Sequence, residues 1–378
     1  MIWAWVAGAS LLIWLGLLIA RDGFWLTRER DTHGILPQPA AWPPVTAVVP
    51  ARDEADVIAA TIASLIAQDY PGAFKIILVD DSSTDGTAEA ARRAAGASER
   101  LTILSAAPLA PGWTGKLWAV SQGIAAAGTI PRYLLLTDAD IAHDADSVRM
   151  LVMRAEAGGL KLVSLMAKLR CISFAERALI PAFVFFFQLL YPFAQVNRPR
   201  GPGAAAGGCM LVDRDTLAQA GGIGAIRGAL IDDCAFGAMI KRHGPIWLGL
   251  TSRVRSIRPY DHWQTVAAMI SRSAYAQLAY SPLLLAGTLA GLALVYAAPP
   301  LLALFGSGTA RWLALAAWLL MALAFQPMLR FYQRSPLWGA ALPLIAAFYA
   351  GCTWASAWQH WRGRGGLWKG RVQAAIGA

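Results

Sequence analysis

After Arg272 the next charged residue is Arg311. In hydrocarbon every backbone N–H and C=O has to be satisfied within the protein, so an uncharged stretch of that length reads as membrane helix or as protein-covered re-entrant chain. Three more runs lack charge: Ile2–Ala20, 312–329 and 337–358. The first is long enough to span a bilayer. It has no basic n-region and no small-residue cleavage site, so it reads as an anchor over 1–22 rather than a removed signal peptide. Between the runs lies a soluble part, 43–260, of ordinary domain size. After it come interfacial helices at 261–280, a transmembrane region at 281–360 and a basic tail at 361–378.

The net charge is +10. Much of the excess flanks the apolar runs, at Arg21, Arg28, Arg30, Arg362, Arg364, Lys369 and Arg371. Anionic lipid headgroups account for that placement, and no basic stripe interleaved with aromatics suggests nucleic acid. Arg21, Arg28 and Arg30 put the soluble part in the cytosol, against a bacterial-type inner membrane. Three C-terminal crossings would leave the basic tail outside, which conflicts with its charge. The Pro299-Pro300 pair suggests a way out, a re-entrant hairpin over 282–305 with a cytosolic tail. The uncharged stretch 178–197 contains two prolines and two glutamines and is expected to lie in the membrane interface. Four scattered cysteines argue against zinc or a disulfide framework and fit a reducing compartment.

Within the soluble part, Tyr133-Leu134-Leu135-Leu136 reads as a strand buried on both faces. It ends in Asp138-Ala139-Asp140. Ligands of open parallel sheets bind past the carboxyl ends of strands. Two carboxylates so close repel unless a cation or hydrogen-bond donors offset them. A divalent Mg²⁺ or Mn²⁺ carrying a substrate diphosphate suits such a pair.

Other strand ends carry charge as well. The run 45–49 is a first strand, stopped by Pro50. It leads through Arg52, Asp53 and Glu54 into an amphipathic helix over 53–68, which Asp53 could simply cap. A strand over 74–79 ends in Asp80-Asp81-Ser82-Ser83-Thr84-Asp85, a dense set of acceptors for ribose and base, or an ordinary polar turn. The loop Pro111-Gly112-Trp113-Thr114-Gly115-Lys116 could present N–H groups and a cation to phosphate, though spacing alone favours a solvated lysine. A short strand over 101–104, a helix over 144–157 and a strand over 160–169 complete a doubly wound, mostly parallel α/β sheet. Glycines at 201–208 would let substrate approach the backbone. Asp232-Asp233 opens a helix and makes a second acidic site. Arg253, Arg255, Arg258 and Arg272 offer a cation for a leaving diphosphate, and Arg272 is assigned to the donor.

In order and spacing, these motifs resemble family-2 inverting glycosyltransferases of the GT-A fold, over about 43–280. The GWTGK loop, the GGCM segment and the arrangement of spans resemble the hopene-associated glycosyltransferases, with ceramide glucosyltransferase-like enzymes as relatives. The resemblance implies a fold, a GT-A nucleotide-sugar transferase domain plus transmembrane helices, and roles. Asp80, Asp81 and Glu54 would hold the nucleoside, Asp138 would lie near the ribose, and Asp140 beside Asp138 would bind the metal. Lys116 would touch the donor phosphate. Asp233, with Asp232 beside it, would be the catalytic base. The donor would be a nucleotide-diphosphate sugar, UDP-linked, and the acceptor a membrane lipid such as a hopanoid. The chain departs from the pattern in having Asp53 where Asn is usual. It also lacks Gln-x-x-Arg-Trp; only Trp263, Arg272 and Gln277 stand nearby. The other readings are a transferase acting on a polyprenyl phosphate or glycan, a non-catalytic scaffold, and a transporter. Transporters place ionisable groups inside their spans, and these spans have almost none.

Overall fold

The computed structural model describes residues 1–32, 34, 36–364, 367–368 and 371–372. The rest of the basic tail, Lys369 included, lies outside the described residues. The chain forms two units. One is Glu29–Arg170 with Gln195–Pro259 and Leu367–Ala378; the other is Met1–Arg28 with Cys171–Ala194 and Tyr260–Gly366.

The first unit is built on an eight-stranded sheet. Its strands are β1 (Val45–Ala51), β2 (Phe74–Asp80), β3 (Leu101–Ser105), β4 (Tyr133–Thr137), β5 (Ile141–His143), β6 (Leu162–Lys168), β7 (Cys209–Asp213) and β8 (Ile246–Ser256). They lie in the order β3-β2-β1-β4-β7-β6-β8-β5. The pairs β3–β2, β2–β1 and β1–β4 are parallel, β7 runs antiparallel to both β4 and β6, β8 is parallel to β6, and β5 is antiparallel to β8. The sheet is thus mixed and mostly parallel, as expected. Every residue of β1 and β4 is buried, as strands covered on both faces require. β1 does not stop at Pro50. Its pairing with β4 ends at Val48, so Pro50 bonds on one side only, where its missing N–H is tolerated.

The helix expected over 53–68 is shorter, Ile58–Ile66, with Ile58, Ile62 and Leu65 fully buried. Asp53 does not cap it. Its Oδ1 accepts from the Thr84 N–H at 2.8 Å and its own N–H donates to Ser83 Oγ at 3.0 Å, tying the β1 loop to the β2 loop.

The second unit is helical. Among the described residues, three of its helices are long and apolar enough to cross a membrane: Ile2–Ala20, Pro282–Phe305 and Gly308–Phe331. The segment expected at the interface forms the helix Phe174–Leu190, whose residues Leu179, Ile180, Val184 and Phe185 are buried in this unit. The expected hairpin within 282–305 is not formed. Pro282–Phe305 is continuous, and a π-helical segment, Ala293–Ala297, precedes the double proline. The physical problem is the Val295 carbonyl: the residues four and five positions on are Pro299 and Pro300, which have no N–H to give. The Trp14 indole supplies the donor from the first helix, Nε1 to Val295 O at 3.0 Å. Trp14→Phe should therefore cost on the order of 1–3 kcal/mol by orphaning that carbonyl. In a Pro299→Ala background the loss, read as Tm in detergent, should shrink, because residue 299 then has its own N–H. Equal losses in both backgrounds would contradict this account.

Doubling back occurs after the Gly308–Phe331 helix instead. The chain climbs beside it, with Gln326 Nε2 donating to Pro336 O and Trp318 Nε1 to Ala340 O. The helix Leu342–Trp361 therefore starts level with the middle of its neighbour. It runs back past Ser271, whose hydroxyl meets Cys352 O, and ends with His360 stacked on Tyr280 at 4.4 Å. Because Tyr280 is separated from Pro282 only by the capping Ser281, the Arg362 end and the start of the Pro282 helix share one side of the unit.

Candidate active site at the carboxyl edge of the sheet

All the acidic motifs of the first unit belong to turns that follow strands or to the start of one helix. Asp80 closes β2, and Asp81 N–H donates to Ala51 O at 2.8 Å, which locks the two loops together. Asp81 is buried beneath Arg52, whose Nη1 reaches its backbone oxygen at 2.6 Å. Asp80 is half-buried and accepts from Ser83 N–H at 3.2 Å. Glu54 N–H donates to Thr87 Oγ1 at 2.8 Å.

The helix Gly115–Ala127 packs hard on β1: a Cβ at Gly123 would stand 2.4 Å from Val48 Cγ1. Thr114 caps its N-terminus, which places Lys116 in the first turn. The Lys116 side chain is only 19% exposed, so it is not the solvated lysine that spacing favoured. Its Nζ lies 2.9 Å from Asp138 Oδ1 and 3.1 Å from Asp232 Oδ2. Burial alone would lower the ammonium, but the carboxylates of Asp138 and Asp232 outweigh it and hold it well above its usual range. Burial raises the Asp138 carboxyl; Lys116 opposes this and the Asp140 charge adds to it.

The helix Asp232–Lys241 is placed by small residues. A Cβ at Gly237 would stand 2.3 Å from the Ala204 carbonyl carbon and one at Gly203 2.4 Å from Ala238 Cα, so Gly203 and Gly237 are needed for the close packing of this helix against the 201–208 segment. The packing brings the Gly207 N–H to Asp233 Oδ2 at 3.0 Å, while Cys234 N–H binds Oδ1 at 2.8 Å. The Asp233 carboxyl is pushed up to about 6, by burial first and the Asp232 charge second, against the pull of Lys116 and the two N–H groups. A cleft opens here, lined by Lys116, Asp138, Gly207 and Asp232 with an apolar floor from Leu136, Met210 and Phe236.

Asp140 sits at the other side of the same edge, where β8 ends. Arg258 spans Asp140 and Glu54, with Nε 2.9 Å from Asp140 Oδ2 and Nη2 2.6 Å from Glu54 Oε2. Ser256 Oγ donates to the same Asp140 oxygen at 3.3 Å. Of the other arginines considered, Arg253 binds Asp146 and Asp31, and Arg255 binds Asp144. Arg272 follows the helix Trp263–Ser271 in the helical unit. Arg258 is one of the four arginines that the sequence offers for a leaving diphosphate, and the signal that separates it from the others is β8, which alternates buried Val254 and Ser256 with outward Arg253 and Arg255 and ends just before it.

Among the described residues no group of three or more His, Cys, Asp or Glu could enclose a metal. A hard divalent ion needs only one or two protein carboxylates when a diphosphate and water complete its shell. The oxygen donors of Asp138 and Asp140 fit that requirement in type.

Residues 46–220 match the family described as Glycosyl transferase family 2. No curated protein matches the chain. Among solved structures, a mannosyltransferase, PcManGT from Pyrobaculum calidifontis, in complex with GDP-Man and Mn2+, is similar with a TM-score of 0.55 at 20% identity, over 94% of this chain and 99% of that one. Mannosyl-3-phosphoglycerate synthase from Rubrobacter xylanophilus gives 0.40 at 18% identity, over 67% and 82% of the two chains. Glucosyl-3-phosphoglycerate synthase from M. tuberculosis gives 0.37 at 22%, over 61% and 80%. The first likeness shows a shared GT-A fold.

Proposed function

We propose that this chain, whose residues 46–220 match the family described as Glycosyl transferase family 2, moves a sugar with inversion from a nucleotide-diphosphate sugar to a membrane lipid. The observation that carries this reading is the cluster of Asp138, Lys116 and Asp232 around one cleft, with Asp233 held by the N–H of Gly207, which also lines it, and with Asp140 in the turn that follows β4. Asp233 takes the proton of the acceptor hydroxyl as its oxygen attacks the anomeric carbon. The bond from that carbon to the diphosphate oxygen breaks on the opposite face, which inverts the configuration. Lys116 would bind the departing diphosphate. Mg²⁺ or Mn²⁺ at Asp140, when bound, would offset the charge that develops there. Glu54, Asp80 and Asp81 would contact the nucleoside, and Asp138 the ribose.

A lipid acceptor is supported by the three apolar helices. The basic flanks Arg21, Arg330, Arg334 and Arg362 support a cytosolic site, since the helical unit gathers them toward one side. The same side for Arg362 supports a cytosolic start to the tail without a hairpin at Pro299-Pro300. The GWTGK and GGCM resemblance makes a hopanoid the first acceptor to assay. The neighbour's GDP-Man makes GDP-sugars part of the test beside UDP-sugars.

The experiment is a donor panel on the purified protein in lipid, reading nucleoside diphosphate release. One nucleotide class should turn over at least about tenfold faster than the others, because hydrogen-bonded recognition of a base discriminates strongly. Release that is absent for every UDP- and GDP-sugar, with and without lipid extract, would refute the reading.

A further inference from the structure

Arg258 occupies one of the two Asp140 carboxylate oxygens and sets its positive charge against the group that would hold a metal. Asp140 Oδ2 accepts from Arg258 Nε at 2.9 Å and from Ser256 Oγ at 3.3 Å, so both of its lone pairs are engaged. The contact is fixed by the backbone, because Ile257 N–H donates to Asp140 O at 2.9 Å and sets the end of β8 against the turn that follows β4. It is also sheltered: the side chains of Asp140 and Glu54 are 14% and 7% exposed, and that of Arg258 is 25% exposed. A guanidinium and a divalent cation cannot share one carboxylate oxygen, since like charges a few ångström apart repel strongly at low dielectric.

Arg258 has a second hold, on Glu54 Oε2 at 2.6 Å. It can therefore let go of Asp140 without leaving the site. A diphosphate is the ligand that makes such a release favourable, because it offers the guanidinium a new pair of anionic oxygens.

We propose that Arg258 is a positioning residue that shuts Asp140 to metal until a nucleotide diphosphate arrives, pivoting on Glu54 from Asp140 to the diphosphate, so that metal and nucleotide bind as a unit. This rests on Asp140 being the metal residue of the proposed transferase. The consequence is a linkage: nucleotide tightens metal binding, and by reciprocity metal tightens nucleotide binding. No chemical step is added to the reaction. What changes is the order of loading, in which bare metal is a poor ligand and bare nucleotide a weak one.

The test uses the full-length protein in detergent, with Mn²⁺ alone and Mn²⁺ with UDP or GDP, and free Mn²⁺ read by electron paramagnetic resonance. Arg258→Met should bind Mn²⁺ alone about tenfold more tightly than wild type, the factor that loss of a charge-assisted hydrogen bond to the competing cation implies. The nucleotide should then tighten Mn²⁺ by a smaller factor than in wild type. Arg255→Met removes the same charge from the same strand end, where it is bound to Asp144. It should leave Mn²⁺ affinity within about twofold, because an exposed pair at that distance from the ion is well screened. Should Arg258→Met fail to fold, Arg258→Lys serves, with an intermediate gain, because an ammonium lacks the fork that spans two carboxylates. Unchanged or weaker Mn²⁺ binding in the Arg258 variants, or an equal gain in Arg255→Met, overturns the proposal. Asp140→Asn separates the two levels: if it binds Mn²⁺ as wild type does, the metal assignment itself fails.

Discussion

Asp233→Asn is expected to slow sugar transfer by about a hundredfold to ten-thousandfold, the range a positioned general base supplies, while nucleotide affinity stays within a few-fold of wild type. The asymmetry follows from what Asp233 touches. Its carboxylate is held by the Gly207 and Cys234 N–H groups and feels the charges of Asp232 and Lys116, while Asp80 and Glu54 are the residues proposed for the nucleoside. Asparagine preserves shape but turns an NH2 toward one of those two N–H donors, so the variant's folding has to be verified by its Tm. The wild-type pH profile gives an independent reading. A base must be ionised to accept a proton. With the Asp233 carboxyl raised to about 6, activity should persist above that pH and fall as the pH drops through it. Burial is the largest cause of the raise, so the acid limb should shift little with ionic strength. A collapse of nucleotide affinity in Asp233→Asn, with the fold intact, would make Asp233 a donor ligand. Asp232→Asn is the comparison, since Asp232 is the partner of Lys116.

The second large effect concerns Asp140. Asp140→Asn should lower turnover on the order of a hundredfold to a thousandfold, as removal of one preorganised electrostatic group at a developing charge does. Excess chelator should produce the same loss in the wild type, and added Mn²⁺ or Mg²⁺ should reverse it. The chelator should have little further effect on the variant, because both act on one interaction. Full wild-type activity in excess chelator would remove the metal from the account and leave charge neutralisation to Lys116 and Arg258.

The parts of the site that were legible in the sequence are those whose chemistry is local. Asp138 and Asp140 follow four bulky residues, and a strand buried on both faces must expose its next polar residues at its end. The same logic identified Asp80 and Asp81. What the sequence hid depends on long-range pairing. Nothing in Pro111–Lys116 tells which acids the first turn of the next helix will face; the contact at Gly123 with Val48 decides it. β7 enters antiparallel between β4 and β6, and no local pattern specifies that insertion. β8 was missed because its apolar part is short, broken by Gly249, and its outer face carries arginines that also suit a membrane flank. With β8 unseen, Arg258 could not be told from Arg253, Arg255 or Arg272. In the helical unit the double proline was a real signal, but its consequence was misassigned. Trp14, far away in sequence, takes the freed carbonyl and lets the helix continue.

The central claim, that the acidic cleft carries a sugar from a nucleotide to a lipid, is tested most directly by a two-phase transfer assay. Purified protein in its native lipid extract is given the labelled donor that the panel selects, alongside Asp233→Asn. The account predicts label in the organic phase in equal amount to nucleoside diphosphate released, joined in the anomeric configuration opposite to that of the donor, and lost in the variant. Label confined to the aqueous phase, or a product that keeps the donor's configuration, would contradict it.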